Sequence, residues 1–410
     1  MKAFRITRPQ DPILTFLAAT ITLFGLAFIF DAGYARAFQK GSRLPPEFTT
    51  QITMAVVAAI GYFVCGAIPR ERWARVGRWI GLGSFVSLVL VEIIGKSQNG
   101  ARRWIDIGPV NIQPAEFAKL AVILYMASVL AKRKPWKGPA KPPRDFGTWL
   151  EKVGCPKLER AWPFFVLLVF FVLIELEKDL GTGAVVMVTG LAMLFMAGIS
   201  AKSKIALAVL VIGGTAVMAK KEAYRMTRIT SHFSRWNADK VDEEGFQTCQ
   251  SELAMADGGA RGVGIGNGRA KHILPATTTD FVMATVAEEA GVLGPLVALG
   301  LVGGIAMRLW ALARAANDRF SALALMGIGT WISVQACTNL MMANATLPAI
   351  GIPFPFVSSG GSSLIALWAA LGIAQSLGTV TVPRAKTKEE VEAEGGRHRW
   401  GNGRARLSGA

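Results

Sequence analysis

The apolar residues of this chain arrive in blocks, most of them 15 to 20 residues long, and that block length limits the possible folds more than any other feature. About 20 helical residues cross the hydrocarbon core of a bilayer, whereas a soluble helix needs apolar residues along one stripe only. Ten such runs occur, near 13–30, 52–68, 79–94, 115–131, 162–176, 183–199, 205–219, 291–307, 321–346 and 362–380. The predicted fold is an all-α polytopic membrane protein of about ten transmembrane helices, with a large loop, 220–280, between the seventh and eighth. Composition agrees, since 18% of residues are charged against about a quarter in an ordinary soluble domain. Ala35-Arg36-Ala37 resembles a signal-peptide cleavage site, but the first run is 18 residues long and exceeds the usual ~7–15 of such a segment. It is therefore expected to remain as a span.

The net charge of +17 would suggest nucleic acid as a partner in a soluble protein. Sorted by alternate loops it reads differently. With the N-terminus inside, 28 Lys and Arg fall on one side and 16 on the other, or 7 once the long 220–281 segment is set aside. Long loops translocate largely regardless of charge, so the bias is expected to put both termini in the cytoplasm and assigns most of the excess to topology rather than to nucleic acid. The basic stretch KRKPWKGPAKPPR (132–144) then reads as a topology signal that also attracts anionic headgroups. Residues 1–12 form a short cytoplasmic N-terminus, 13–380 the membrane domain, and 381–410 a charged, Gly-rich tail with nothing apolar to bury, expected to be disordered.

Cysteines at 65, 155, 249 and 337 form no C-x-x-C pair, and with three histidines they offer neither a disulfide framework nor a zinc site. GVGIGNG (262–268) fails the G-x-G-x-x-G pattern and GKS (95–97) lacks the upstream glycine of a P-loop, so no nucleotide or haem site is expected.

Unusual polar residues collect on the outer side of this topology: NGARRWIDIGPVNIQPAEFAK (99–119), EKDLGTG (177–183), KHILPATTTDF (271–281) and LPAIGIPFPFVSSGGSS (347–363). In that order, together with GFQ (245–247) and GARGVGIG (259–266), these motifs resemble the SEDS family of polytopic peptidoglycan glycosyltransferases typified by FtsW and RodA. The resemblance runs from about 13 to 380 and is somewhat closer to FtsW in KDLGTG and SELAMADGG. It implies polymerisation of lipid II into glycan strands at the outer membrane face, in division or elongation. It also implies a class B penicillin-binding protein (a transpeptidase) and division or elongation proteins as partners.

Glycosyl transfer from a polyprenyl diphosphate needs a base for the acceptor hydroxyl and positive charge for the departing diphosphate. Asp280, at the edge of the long loop, is equally a helix N-cap by its position, and the family match favours the catalytic reading. Arg102, Arg103 and Trp104 can hold diphosphate and sugar or can be interfacial anchors. Arg269 and Lys271 are further diphosphate candidates, with a solvated charged loop as the alternative. Glu116 and Lys119 share a helix face, and Asp179 approaches from the same side, which suggests a network shaping the cavity. The role of Glu288 and Glu289 stays open between intramembrane pairing and other uses. Prolines at 348, 353 and 355 forbid a continuous helix there. Ser358, Ser359, Gly360, Gly361 and Ser362 then offer either a polar backbone surface for substrate or a packing turn. A divalent cation, Mg or Mn, can join diphosphate to Asp280, although no carboxylate cage is visible.

Ala115, Lys178, Ala276, Thr278 and Ser359 depart from the family pattern, without removing the candidate base. Two other classes of function compete, a lipid II flippase or other transporter and a non-enzymatic division scaffold. A transporter wants polar, broken helices reachable from both sides; the one-sided clustering here favours the enzyme.

Overall fold

The computed structural model describes residues 6–7, 11–39, 41–98, 101–107, 110–133, 145, 155–198, 213–214, 223–238, 240–243, 245–274, 276–378 and 381–382. The expected seventh span, apart from Gly213 and Gly214, lies outside them, as do most of the basic 132–161 loop and the tail from Pro383.

The described residues are mostly helical, as expected. Helices α1 (Pro12–Gln39), α2 (Pro46–Ala67) and α3 (Arg70–Ile94) are followed by α4 (Pro114–Leu130), α5 (Cys155–Leu176) and α6 (Leu180–Met196). After α7 (Ala223–Phe233), α8 (Phe246–Gly258), α9 (Ala270–Ile273) and α10 (Val282–Ala290) come α11 (Leu293–Arg314), α12 (Arg319–Ala343) and α13 (Gly361–Gly378). Among them 6 are long and apolar enough to cross a membrane: α1, α2, α3, α11, α12 and α13, while α5 and α6 contain shorter apolar stretches. The protein is an integral membrane protein.

Packing separates lipid-facing from interior helices. Phe16, Leu23, Phe63, Trp79, Ile93, Leu293 and Met307 are exposed large apolar side chains on α1, α2, α3 and α11, the surface that a bilayer would cover. Helix α4 is central: only Phe117, Tyr125 and Val129 along it are not buried. Close approach of α13 to α2 depends on Gly372, where a Cβ would stand 2.3 Å from the Tyr62 carbonyl oxygen.

Connections between the described helices gather at two opposite ends. At one end Arg308 pairs with Asp11, Arg319 donates to the carbonyls of Arg133 and Ala197, and Arg70 lies 3.8 Å from Asp318. Strand β1 (Ile6–Thr7) pairs there with β5 (Thr381–Val382), so the two ends of the membrane domain meet.

The opposite end holds structure that an all-helical reading does not contain. A small antiparallel meander, β2 (Lys96–Gln98), β3 (Ala101–Ile107) and β4 (Val110–Ile112), connects α3 to α4. Asn99-Gly100 and Gly108-Pro109 fall between its strands, and both dipeptides are turn signals. The expected large loop is also folded in its described part: Arg235 forms a two-point ion pair with Glu252 on α8, and Ser251 donates to the Ala343 carbonyl of α12.

Candidate active site

Two turns dock on each other at this second end. The first, 276–281, reverses through Ala276, whose φ of +58° is left-handed, and the amides of Thr279 and Phe281 donate to the Ala276 carbonyl. The second is the proline-broken segment before α13. Ser359 N–H donates to the Thr278 carbonyl (2.7 Å), and the Ser358 hydroxyl donates to the Thr279 carbonyl (2.6 Å) while accepting from Phe354 N–H (2.8 Å). Gln51, buried on α2, closes the back by accepting from Gly360 N–H and donating to the Ser358 carbonyl.

Asp280 sits on the docked face, half-buried. Phe281, rather than Asp280, occupies the N-cap position of α10. The Asp280 carboxylate oxygen Oδ2 is 3.6 Å from where a Cβ on Gly351 would stand. Gly351 has φ +72°, so this neighbour is bare backbone. The backbone carbonyl of Asp280 accepts from the amide of Asn339 on α12 at 2.8 Å.

The serine and glycine residues of the second turn are committed to holding it. Beyond Ser358 and Ser359, Ser362 accepts from Gln113 N–H and donates to the Asn111 carbonyl, tying α13 to the meander. Gly361 makes room for Met54, which a Cβ would meet at 2.7 Å.

The expected cations divide. Arg103 donates through Nε to the Glu177 carbonyl (2.9 Å) and through Nη2 to the Lys178 carbonyl, so it caps the end of α5. Arg102 donates to the Glu92 carbonyl near the end of α3 and remains exposed; Trp104 is half-buried on β3. These arginines are drawn to helix C-termini by unpaired carbonyls. Lys271 is buried between two carboxylates, 2.8 Å from Asp31 on α1 and 2.8 Å from Glu289 on α10. A diphosphate contact is therefore not its arrangement here, because its charge is already neutralised. Arg269 alone of the two keeps an exposed side chain.

Glu288 and Glu289 have a role the sequence left open. They are not in the span but on the separate helix α10, which Gly291 (φ +66°) breaks before α11. Glu288 accepts from the amides of Arg269 and Ala270, and Glu289 from those of Gly266 and Gly268. Two carboxylates thus fill the backbone donors of the Gly-rich stretch, which for that reason offers no cradle to a phosphate. Burial raises the Glu289 carboxyl, with the Lys271 hydrogen bond opposing.

Glu116 and Lys119 pair as their spacing suggested, at 2.8 Å and both buried. Asp179 is not joined to Lys119 directly. It caps α6 by accepting from Thr182 N–H (3.0 Å) and accepts from the Gln113 amide (2.9 Å). Lys119 instead donates to Gln335 of α12 (3.0 Å) and lies over the Trp331 ring. Lys178, one of the departures from the family pattern, adopts φ +59°, a left-handed conformation.

Beside this network Glu177 is 0% exposed and neither carboxylate oxygen has a hydrogen-bond partner among the described residues. Burial, then the charges of Asp179 and Glu92, push it up to about 9 against the opposing pull of Arg103. It carries its proton at neutral pH.

A family model described as cell cycle protein, FtsW/RodA/SpoVE, matches residues 12–381. The chain belongs to this family. Among FtsW/RodA/SpoVE relatives, "Probable peptidoglycan glycosyltransferase FtsW" of Pseudoalteromonas atlantica is 36% identical over 90% of this chain and 73% of its own length. The protein of the same name in Geobacter sp. is 31% identical, covering 90% of this chain and 96% of its own. Solved structures share the fold, among them two at 25% identity or more. One is a chain from a study of polymerization and crosslinking by a peptidoglycan synthase complex, with TM-score 0.72, 27% identity and 90% and 97% coverage of this chain and that one. The other is the Thermus thermophilus rod shape determining protein RodA, with TM-score 0.61, 25% identity and coverage of 90% and 96%.

Proposed function

We propose that the chain is a peptidoglycan glycosyltransferase that polymerises lipid II into glycan strands at the outer face of the bacterial inner membrane, with Asp280 as general base. Family membership and the names of its relatives support the activity. The observation that carries the assignment to Asp280 is the docked pair of turns, which fixes its backbone while its half-buried carboxylate lies beside bare Gly351.

Asp280 takes the proton of the acceptor hydroxyl as that oxygen bonds to the anomeric carbon of the donor sugar, and the polyprenyl diphosphate leaves with the electrons of its glycosidic bond. Arg269 and the exposed edge of Arg102 are the cations best placed by exposure to meet the diphosphate, and Trp104 offers a flat apolar face to sugar or prenyl chain. Among the described residues no three metal-ligating side chains converge. A Mg or Mn ion would therefore take most of its ligands from the diphosphate and water, with Asp280 as the protein oxygen; when bound it would neutralise leaving-group charge.

The charge bias supports a cytoplasmic location for both termini, and the pairing of β1 with β5 supports their lying on one side. A class B penicillin-binding protein is the expected partner, a reading supported by the peptidoglycan synthase complex from which one chain of this fold comes. Purified full-length protein with such a transpeptidase, supplied with lipid II and a divalent ion, should make glycan polymer. Movement of lipid II across liposomes without polymer would favour the flippase instead.

A further inference from the structure

Gln335 and Asn339 stand one helical turn apart on α12, both 0% exposed. Buried amides are costly unless their donors are used. Here they clamp consecutive carbonyls of the proline-broken segment. Gln335 donates to Pro353 O at 3.0 Å while accepting from Lys119 and from Trp331 Nε1 (2.7 Å). Asn339 spends both amide protons, one on Ile352 O (2.6 Å) and one on Asp280 O (2.8 Å).

Two carbonyl oxygens from different segments repel when brought together. The Asn339 amide turns that repulsion into a bridge and so sets the separation between the Asp280 backbone and the Gly351–Ile352 backbone, against which the carboxylate lies. Neither amide proton goes to the carboxylate itself. We propose that Asn339 is a positioning residue for Asp280, holding the base at its working distance from the acceptor hydroxyl, with Gln335 anchoring the same segment to the Glu116–Lys119 pair. The proposal rests on the assignment of Asp280 as base.

Asn339→Leu nearly preserves shape and removes both donors; Asn339→Ser keeps one. Full-length protein with its transpeptidase, monodisperse in nanodiscs, is assayed for lipid II polymerisation over a range of substrate concentration, alongside Asp280→Asn. A misplacement on the scale of 1 Å can cost about 100-fold. Asn339→Leu is therefore expected to lose about 10- to 100-fold in kcat with KM within about twofold of wild type, and Asn339→Ser to fall between. A purely structural role would lower the active fraction, measured by folded-protein titration, and leave kcat per folded molecule unchanged. Wild-type kcat in folded Asn339→Leu, or a loss confined to KM, overturns the proposal. Should Asn339→Leu fail to fold, Asn339→Ser decides alone: reduced kcat at unchanged KM upholds positioning, full kcat overturns it. An inactive Asp280→Asn beside fully active Asn339 variants removes only the positioning role, whereas an active Asp280→Asn removes the assignment of the base.

Discussion

Replacing Glu177 with Gln should change how the protein's stability depends on pH, by an amount the structure sets. In the folded protein the carboxyl keeps its proton up to about 9, against 4.5 for the ordinary group. Between these values the unfolded chain ionises and the folded one does not, so wild-type stability falls as pH rises, by about 1.4 kcal/mol per pH unit. The penalty is nearly absent at pH 4.5 and reaches about 3 kcal/mol at pH 7, since 2.5 units separate that pH from the unfolded value. Glu177→Gln cannot ionise and escapes the penalty. Its own buried amide adds a cost that does not vary with pH. Thermal unfolding of both proteins in detergent, followed by tryptophan fluorescence from pH 5 to 8.5, should show the Tm of the variant gaining on wild type by a few degrees across the range. A Tm difference that is flat with pH, or one that moves against the variant as pH rises, refutes the buried, protonated state of Glu177.

Lys119→Met leaves Glu116 buried without its partner and should cost about 3–5 kcal/mol, most of which Glu116→Leu in the same chain should recover; thermal unfolding of the single and double variants checks both. Gly372→Ala places a Cβ 2.3 Å from the Tyr62 carbonyl and should cost about 1–3 kcal/mol as α13 is pushed off α2, read as a lowered Tm and reduced yield of monodisperse protein.

Much of this architecture is legible in the residues. Apolar block length marks α1 to α3 and α11 to α13, and proline spacing marks the broken segment before α13. The turns of the meander are marked too, by Asn99-Gly100 and Gly108-Pro109, although strands this short leave little period-2 pattern beside the apolar blocks. Gln335 and Asn339 were also visible as amides in an apolar helix, a pattern that marks buried polar work. What no local pattern contains is pairing across the chain. Lys271 looks free for diphosphate until Asp31, 240 residues away, is beside it. Arg103 looks free until the end of α5 presents its carbonyls. Glu288 and Glu289 bind backbone amides about 20 residues earlier, a use that leaves no mark in side-chain spacing.

The proposed role of Asp280 is to take the acceptor proton. Asp280→Asn keeps the shape of the docked turn, whose hydrogen bonds run through the backbone of 278–280. Loss of a general base typically costs about 100- to 10,000-fold. Measured on lipid II polymerisation with the transpeptidase present, the folded variant is expected to retain binding and lose at least about 100-fold in rate. A folded Asp280→Asn protein that polymerises lipid II within about twofold of wild type would contradict the account.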